Sequence, residues 1–446
     1  MPCVYPGYKE AYYPALDGWY VAAVFGILKV MKVWVKLFSG AVIGVVLGMV
    51  LPFRENSLLA HAIEFLPQIA LRIGRYAAPP LVVFSLTMAI HQLRQEGKFW
   101  SLVGKSLLVI LATTAIVLTF GIGAARLLFP NGRIPIIVEN AAEVAPLDPE
   151  QSAFELFPSN MLSVLAGDGL FLFPLCIFAF FLAIGLSYDK TYSKPLLSLC
   201  DSLSRIFFHI GVFFSEILGI IVIVLAAYYA WQYRLVLTKG IFSGLIRLLL
   251  IITLSLSFVV LPLLLYLFRP KKKCAPWKKL YGSLGPAIAA FFSGDINFTL
   301  PVLFLHTKEN LGVNRRVNAV APLLYATIGR AGSAMVAAVS FIVILQSYSS
   351  LEIELEQIAQ IWIRALLLSL MLGRNSGDGA LAALAALCLW APEGFKTGYL
   401  ILKPIGFFLI ACATLIDCMA ATLGTYAIAR ASPDHFTDEK SVKRFI

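Results

Sequence analysis

Apolar runs long enough to cross a bilayer recur along this chain, and they leave few folds open to it. Crossing a hydrocarbon core takes about 20 apolar residues in a helix. Stretches of that kind lie at 33–53, 66–91, 100–129, 156–187, 205–231, 241–268, 316–346 and 394–430. Two further stretches, 277–305 and 360–393, are apolar but broken near the middle by Gly, Ser and Asp. With 59% hydrophobic and 14% charged residues over 446 positions, the chain lies far from the soluble average of about 25% charged. The expected class is an all-α polytopic membrane protein. The first twenty residues lack the basic start and apolar core of a cleavable signal, so the first apolar run is expected to direct insertion.

The net charge of +11 does not point to nucleic acid, because the basic residues fall in short loops that alternate with acidic ones. Lys29, Lys32 and Lys36 lie before or at the start of the first span, and Arg94, Lys98 and Lys105 lie between spans two and three or at the start of the third. Lys190 and Lys194 follow span four, and Arg269, Lys271, Lys272 and Lys273 follow span six. Connectors 131–155 and 349–357 are acidic. The positive-inside rule then puts both termini in the cytoplasm, and the membrane expected is the cytoplasmic (inner) membrane of the cell. The seven cysteines are odd in number and mostly within spans, so disulfides are not expected.

Up to about residue 270 the spans are mostly continuous, which reads as scaffold. Each broken segment of the C-terminal part carries Ser-Gly-Asp at its break, Ser293-Gly294-Asp295 and Ser376-Gly377-Asp378, and each precedes a full span with a buried charge. The arrangement reads as a repeat of hairpin plus helix. Non-helical backbone at membrane depth survives only when buried in protein or lining a wet cavity, and paired interrupted segments point to a transporter's binding site. The expected organisation is an N-terminal cytoplasmic or interfacial segment 1–32, a scaffold region 33–270, a transport core 277–430 and a cytoplasmic tail 431–446.

Arg330 is the only charge between about Val317 and Leu345. Its neighbours Gly329 and Gly332 each cost a helix about 1 kcal/mol relative to Ala. A buried arginine costs at least about 3 kcal/mol on insertion scales, so a carboxylate must be near, and Asp417 in the last span is the strongest candidate. Ala413, Thr414, Asp417, Ala421 and Gly424 share one face of that span by their i, i+3 and i+4 spacing. Arg330 is either a structural cation paired across helices, a replacement for a bound sodium, or the holder of an anionic group of the substrate. Asp417 either binds a cation, accepts a proton or pairs with Arg330.

At these residues the chain resembles the dicarboxylate/amino-acid:cation symporter family, which includes the glutamate and aspartate transporters. The likeness runs from about residue 33 to 430. It includes LFSGAVIGVVLGMVLP (37–52), the stretch 156–187, Thr-Leu-Pro at 299–301 and ATIGRAGSA at 326–334, which is similar to the family's Ala-Thr-Ile-Asn-Met-Asp-Gly-Thr-Ala. Thr414, Asp417, Gly424 and Thr425 fit its last helix. The resemblance implies eight transmembrane helices and two re-entrant helical hairpins, an elevator-type transporter assembled as a homotrimer, with the second hairpin as gate. It implies a small-molecule substrate, a lipid bilayer, no organic cofactor, and Na+ or H+ as coupling ion.

The chemistry departs from that pattern. Gly329 and Ala331 stand where the family motif has Asn and Asp, which removes two cation-site oxygens. An extra residue between Pro322 and Gly329 sets Arg330 opposite either the methionine or the aspartate of the motif. Ala413 takes the place of the arginine that holds an acidic side chain, Ile410 and Ala421 replace two aspartates, and Asp417 replaces asparagine. Candidate substrate-binding residues are Asp295, Asn297, Thr299, Arg330, Ser333, Arg374, Ser376, Asp378, Thr414 and Asp417, with Asp417 also the candidate cation ligand. No metal-ligand spacing, phosphate loop or nucleophile–base arrangement is present, so an enzyme is not expected, and His91 and His306 are expected at the interfaces. The function expected is secondary active transport of a small charged organic solute, an amino acid or dicarboxylate, by a symporter with altered cation coupling. The alternatives are a sodium-independent exchanger or proton-coupled carrier, or an anion channel or transport-dead sensor on the same scaffold.

Overall fold

The computed structural model describes residues 32–51, 57–128, 154–158, 160–166, 170–188, 192–237, 240–267, 276–348, 354–390 and 396–431. The expected cytoplasmic segments 1–32 and 431–446 lie outside these, apart from Lys32 and Ala431. Among the described residues the regular elements are helices: α1 (Val33–Val50), α2 (Ser57–Tyr76), α3 (Ala78–Gln95), α4 (Phe99–Leu128), α5 (Phe173–Tyr188) and α6 (Lys194–Leu237). α7 (Ser243–Ser255) continues through a π-helical turn, Leu256–Val260, into α8 (Leu261–Leu267). The C-terminal part contains α9 (Pro276–Ser293), α10 (Ile296–Glu309), α11 (Arg315–Thr327), α12 (Ala331–Tyr348), α13 (Leu355–Ser369), α14 (Gly379–Leu389) and α15 (Gly406–Arg430).

Among the described residues, seven helical stretches are long and apolar enough to cross a membrane. Four differ from the expected spans, among them Lys194–Arg234, which is longer than 205–231. The second is longer than 66–91 and runs from Leu59 to Gln95, with a division at Ala77, because Pro79 and Pro80 fill the first turn of α3, where a missing N–H costs nothing. The stretch 156–187 gives only the 16 residues of α5, after a 3-10 segment, Met161–Ala166. The stretch 316–346 is not one continuous helix but α11 and α12, separated at residues 328–330.

Burial separates centre from rim. In the span Arg315–Ser347, 89% of the most apolar window is buried and in Gly398–Arg430 it is 78%, against 39% in Val33–Val50 and 33% in Phe99–Leu128. α11, α12 and α15 therefore form the centre, and α1 and α4 turn apolar side chains such as Phe38, Val50 and Leu108 outward. The rim is held by close backbone approach. Gly40, Gly44 and Gly48 of α1 press on the backbone of α6 at Gly219, Ile223 and Ala227, where any Cβ would collide. Small residues at four-residue spacing are how helices pack in lipid, where no hydrophobic drive brings them together.

Two helix pairs mark the broken segments. α9 and α10 lie antiparallel, since Gly282 faces Asn310 and Gly285 faces His306. They are joined at Gly294, whose φ of +62° suits glycine alone. His306 is buried between the two arms, with Nδ1 3.1 Å from the Gly282 carbonyl oxygen. His91 is buried as well, 2.9 Å from the Ser187 hydroxyl. α13 and α14 also pack together, with Arg364 bonded to the Trp390 carbonyl at 3.2 Å.

Candidate functional site

The site is built on the gap between α11 and α12. At Gly329 the backbone turns its N–H back to the carbonyls of Leu324 and Tyr325, and the N–H of Arg330 reaches out to the Ser369 carbonyl of the second hairpin at 3.4 Å. Gly373, in the same hairpin, lies directly against the Thr327 carbonyl, where a Cβ would not fit. The hairpin connection thus fills the interruption and supplies polar partners to backbone that hydrocarbon could not satisfy.

The Arg330 side chain has no solvent exposure. Its Nε donates to Asp417 Oδ2 at 2.8 Å, Nη1 to the Asn375 carbonyl at 3.4 Å, and Nη2 to the Ser376 carbonyl and the Ser333 hydroxyl, each at 3.2 Å. Asp417 is equally occupied. Its Oδ1 accepts the N–H of Gly332 at 2.6 Å and of Ser333 at 3.4 Å, and its Oδ2 takes the Ser333 hydroxyl at 2.7 Å as well as Arg330. A helix leaves its first N–H groups without intrahelical partners and carries partial positive charge there. At α12 that end is capped by a carboxylate from α15 instead of by its own chain. The approach requires glycine at 332, because a Cβ would strike the Ala413 carbonyl. Ala413 and Ala421 are buried in the same face of α15, and Gly424 makes room for the ring and hydroxyl of Tyr325.

A second ion pair lies at the tip of the first hairpin. Asp295 caps α10 by accepting the Asn297 N–H at 2.8 Å, and it pairs with Arg75 at the end of α2. Arg75 also reaches the second tip, since a Cβ placed on Gly377 would lie 3.5 Å from its Nη2. The Tyr229 hydroxyl of α6 covers Gly294. Asp378 is exposed and within electrostatic reach of Asp295, Arg75 and Tyr229. Both tips therefore converge on one guanidinium.

Arg75 was missed by sequence reasoning. The signal was present, as Arg72 and Arg75 interrupt the apolar run 66–91. Of the sequence candidates, Arg330, Ser333, Ser376 and Asp417 meet in one cluster, and Asp295 and Asp378 meet at Arg75. Thr414 ties α15 to α9, its hydroxyl shared between the carbonyls of Ala290 at 3.0 Å and Ile410 at 2.8 Å. Thr299 turns its hydroxyl to the Ile296 carbonyl at 2.7 Å, within its own helix, and the Asn297 amide donates to the Leu170 carbonyl at 2.7 Å. Arg374 is paired with Glu155 at 2.9 Å instead of with the cluster. The Ser376 hydroxyl is buried without a hydrogen-bond partner among the described residues.

Protein donors occupy both oxygens of Asp417, and a guanidinium stands beside it. Among the described residues no group of three or more His, Cys, Asp or Glu side chains could hold a metal ion.

The chain is 22% identical over 193 residues to the proton/sodium-glutamate symport protein of Bacillus caldotenax, covering 41% of this chain and 44% of that protein. It is 35% identical over 109 residues to human excitatory amino acid transporter 1, covering 24% of this chain and 19% of that protein. The matches thus span less than half the length of these relatives. The model of the sodium:dicarboxylate symporter family, however, matches residues 33–431. The chain belongs to the sodium:dicarboxylate symporter family, a family of transporters and not of enzymes.

Proposed function

We propose that the protein is a secondary active transporter of a small charged organic solute, an amino acid in preference to a dicarboxylate, whose cycle does not use sodium at Asp417. The observation that carries this reading is the buried Arg330–Asp417 pair, closed from above by the Asn375 and Ser376 carbonyls of the second hairpin. Carbonyl and carboxylate oxygens converging on one point make a site for a hard cation, and here a guanidinium supplies the charge. Coupling to protons, or exchange without a coupling ion, follows from that substitution more readily than sodium symport.

The substrate preference rests on charge balance. Arg330 is matched by Asp417 and Arg75 by Asp295, so Asp378 is the surplus charge between the tips. It would attract the ammonium group of an amino acid and repel a second carboxylate. The unpartnered Ser376 hydroxyl and the remaining donors of Arg75 suit the carboxylate end. Asp295, Asn297, Thr299, Ser333 and Thr414 shape the site through the bonds described above.

The architecture proposed is eight transmembrane helices with α9–α10 and α13–α14 as re-entrant hairpins. Residues 33–270 form mostly scaffold, and 277–430 form a core that moves as an elevator, gated by the second hairpin. The assembly is a homotrimer in the cytoplasmic membrane, with segments 1–32 and 431–446 in the cytoplasm. The test is reconstitution into liposomes with radiolabelled amino and dicarboxylic acids, with and without a sodium gradient. Saturable amino-acid uptake or exchange that survives removal of sodium is expected. A large unsaturating conductance without uptake would replace the carrier with an anion channel, and absence of uptake and exchange alike would favour a transport-dead sensor.

A further inference from the structure

Away from the hairpin tips, a cavity of about 260 Å³ opens between α3, α6, α10 and α11. Three of its lining side chains are cations brought from three helices: Arg205 of α6, Lys308 of α10 and Arg315 of α11. Their counter-charges are fewer. Asp201 serves both arginines, with Oδ1 2.9 Å from Arg315 Nη1 and Oδ2 3.0 Å from Arg205 Nε, and Glu309 lies 3.7 Å from Lys308 Nζ. Three cations thus face two carboxylates, and the arginines sit close enough to Lys308 to act on it electrostatically.

Like charges are gathered at a cost in free energy. Arg315 bonds Asp201 through Nη1 and the Ser204 hydroxyl through Nη2 at 2.7 Å, and Arg205 bonds Asp201 through Nε, so among the described residues each guanidinium retains donors at the cavity. Lys308 lies over the Phe208 ring, its Nζ 3.9 Å from the centroid, which holds the ammonium toward the same space. Planar guanidinium forks beside an ammonium suit a group with several anionic oxygens better than a single carboxylate. The apolar part of the wall, Leu81, Phe208 and Phe304, offers a surface to the organic remainder of such a ligand.

We propose that this cavity binds a phosphate-bearing anion, through Arg205, Lys308 and Arg315. The chemistry is shared by the headgroup of an anionic phospholipid and by free phosphate, and basic pockets between membrane helices are where anionic headgroups settle. The site is independent of the hairpin tips and of any transport reading.

The full-length protein in nanodiscs of phosphatidylcholine, with or without phosphatidylglycerol, and the same protein in detergent titrated with inorganic phosphate at constant ionic strength, separate the two sources. Retained lipid is read by native mass spectrometry and phosphate by the shift of the unfolding midpoint. Selective retention of phosphatidylglycerol assigns the site to a lipid headgroup, and a saturable phosphate shift assigns it to free phosphate. In R205Q/K308Q either affinity should fall by about fivefold for each cation removed. In D201N it should rise, because both arginines are released from their carboxylate. Equal binding of both probes by the wild type and R205Q/K308Q overturns the proposal, as does weaker binding by D201N. If R205Q/K308Q does not fold, the sign of the D201N effect decides alone.

Discussion

Gly332 and Asp417 meet across a helix contact that admits no side chain at position 332, and the backbone N–H reaches the carboxylate at 2.6 Å. Gly332→Ala is therefore expected to push α12 from α15 and lengthen every bond to Asp417. Overpacking of this kind costs about 1–3 kcal/mol. The unfolding midpoint of the purified variant should fall, and uptake should fall with it. A variant as stable as the wild type would show that the two helices yield at this point.

Arg330 and Asp417 should behave as a unit. Arg330→Ala or Asp417→Ala leaves a buried charge without its partner, at a cost of about 3–5 kcal/mol. Each single variant should lose stability and transport, and the double variant should regain stability without regaining transport. Thermal unfolding of all four proteins, with uptake beside it, completes the cycle. A double variant no more stable than the worse single one refutes the pairing.

Sodium should matter little. With donors on both oxygens of Asp417 and a guanidinium against it, replacing sodium by potassium or choline on both sides of the membrane should leave the initial rate of uptake unchanged. Strict sodium dependence in the wild type would place a sodium site elsewhere, on backbone carbonyls alone.

The two hairpin tips should be close. Cysteines introduced at Ile296 and Gly377 in a background without native cysteines are expected to join through a short bifunctional reagent, because Arg75 contacts both tips. Absence of the product, judged by mobility in gels with and without substrate, would break the relation between the tips.

Asp378→Asn tests substrate charge. Removing the surplus carboxylate should raise KM for amino acids by about tenfold, ~1.4 kcal/mol, and should improve the relative uptake of dicarboxylates. Unchanged selectivity would remove Asp378 from the site.

Much of this arrangement is legible in the sequence, for physical reasons. Arg330 and Asp417 are charges in apolar runs, and hydrocarbon forces such groups to find each other, so the pair can be inferred across 87 positions. The Ser-Gly-Asp breaks likewise mark the turns of both helix pairs. Other features depend on tertiary approach and carry no local sign. The interruption at 328–330 was hinted at by two glycines, but its extent is set by the second hairpin lying in it. Arg374 looked like a site residue on grounds of position, yet Glu155 lies within 2.9 Å of it, and no spacing rule connects residues so far apart. Arg75 escaped notice because its helix looked like scaffold, although its charge in an apolar run is the same signal that exposed Arg330.

The guanidinium that closes on the second hairpin is bonded to the chain it serves. A dissolved ion arrives with a probability set by its concentration and leaves on the far side, so its gradient performs work on every turnover. Arg330 cannot leave. In the elevator proposed above it would cross the membrane with the core and return with it, and over a full cycle it would move no net charge and dissipate no gradient. Paired with Asp417, which would travel in the same core, it would also give the membrane voltage no net charge to act on, and the direction of net flux would be fixed by the substrate, and any proton travelling with it, alone.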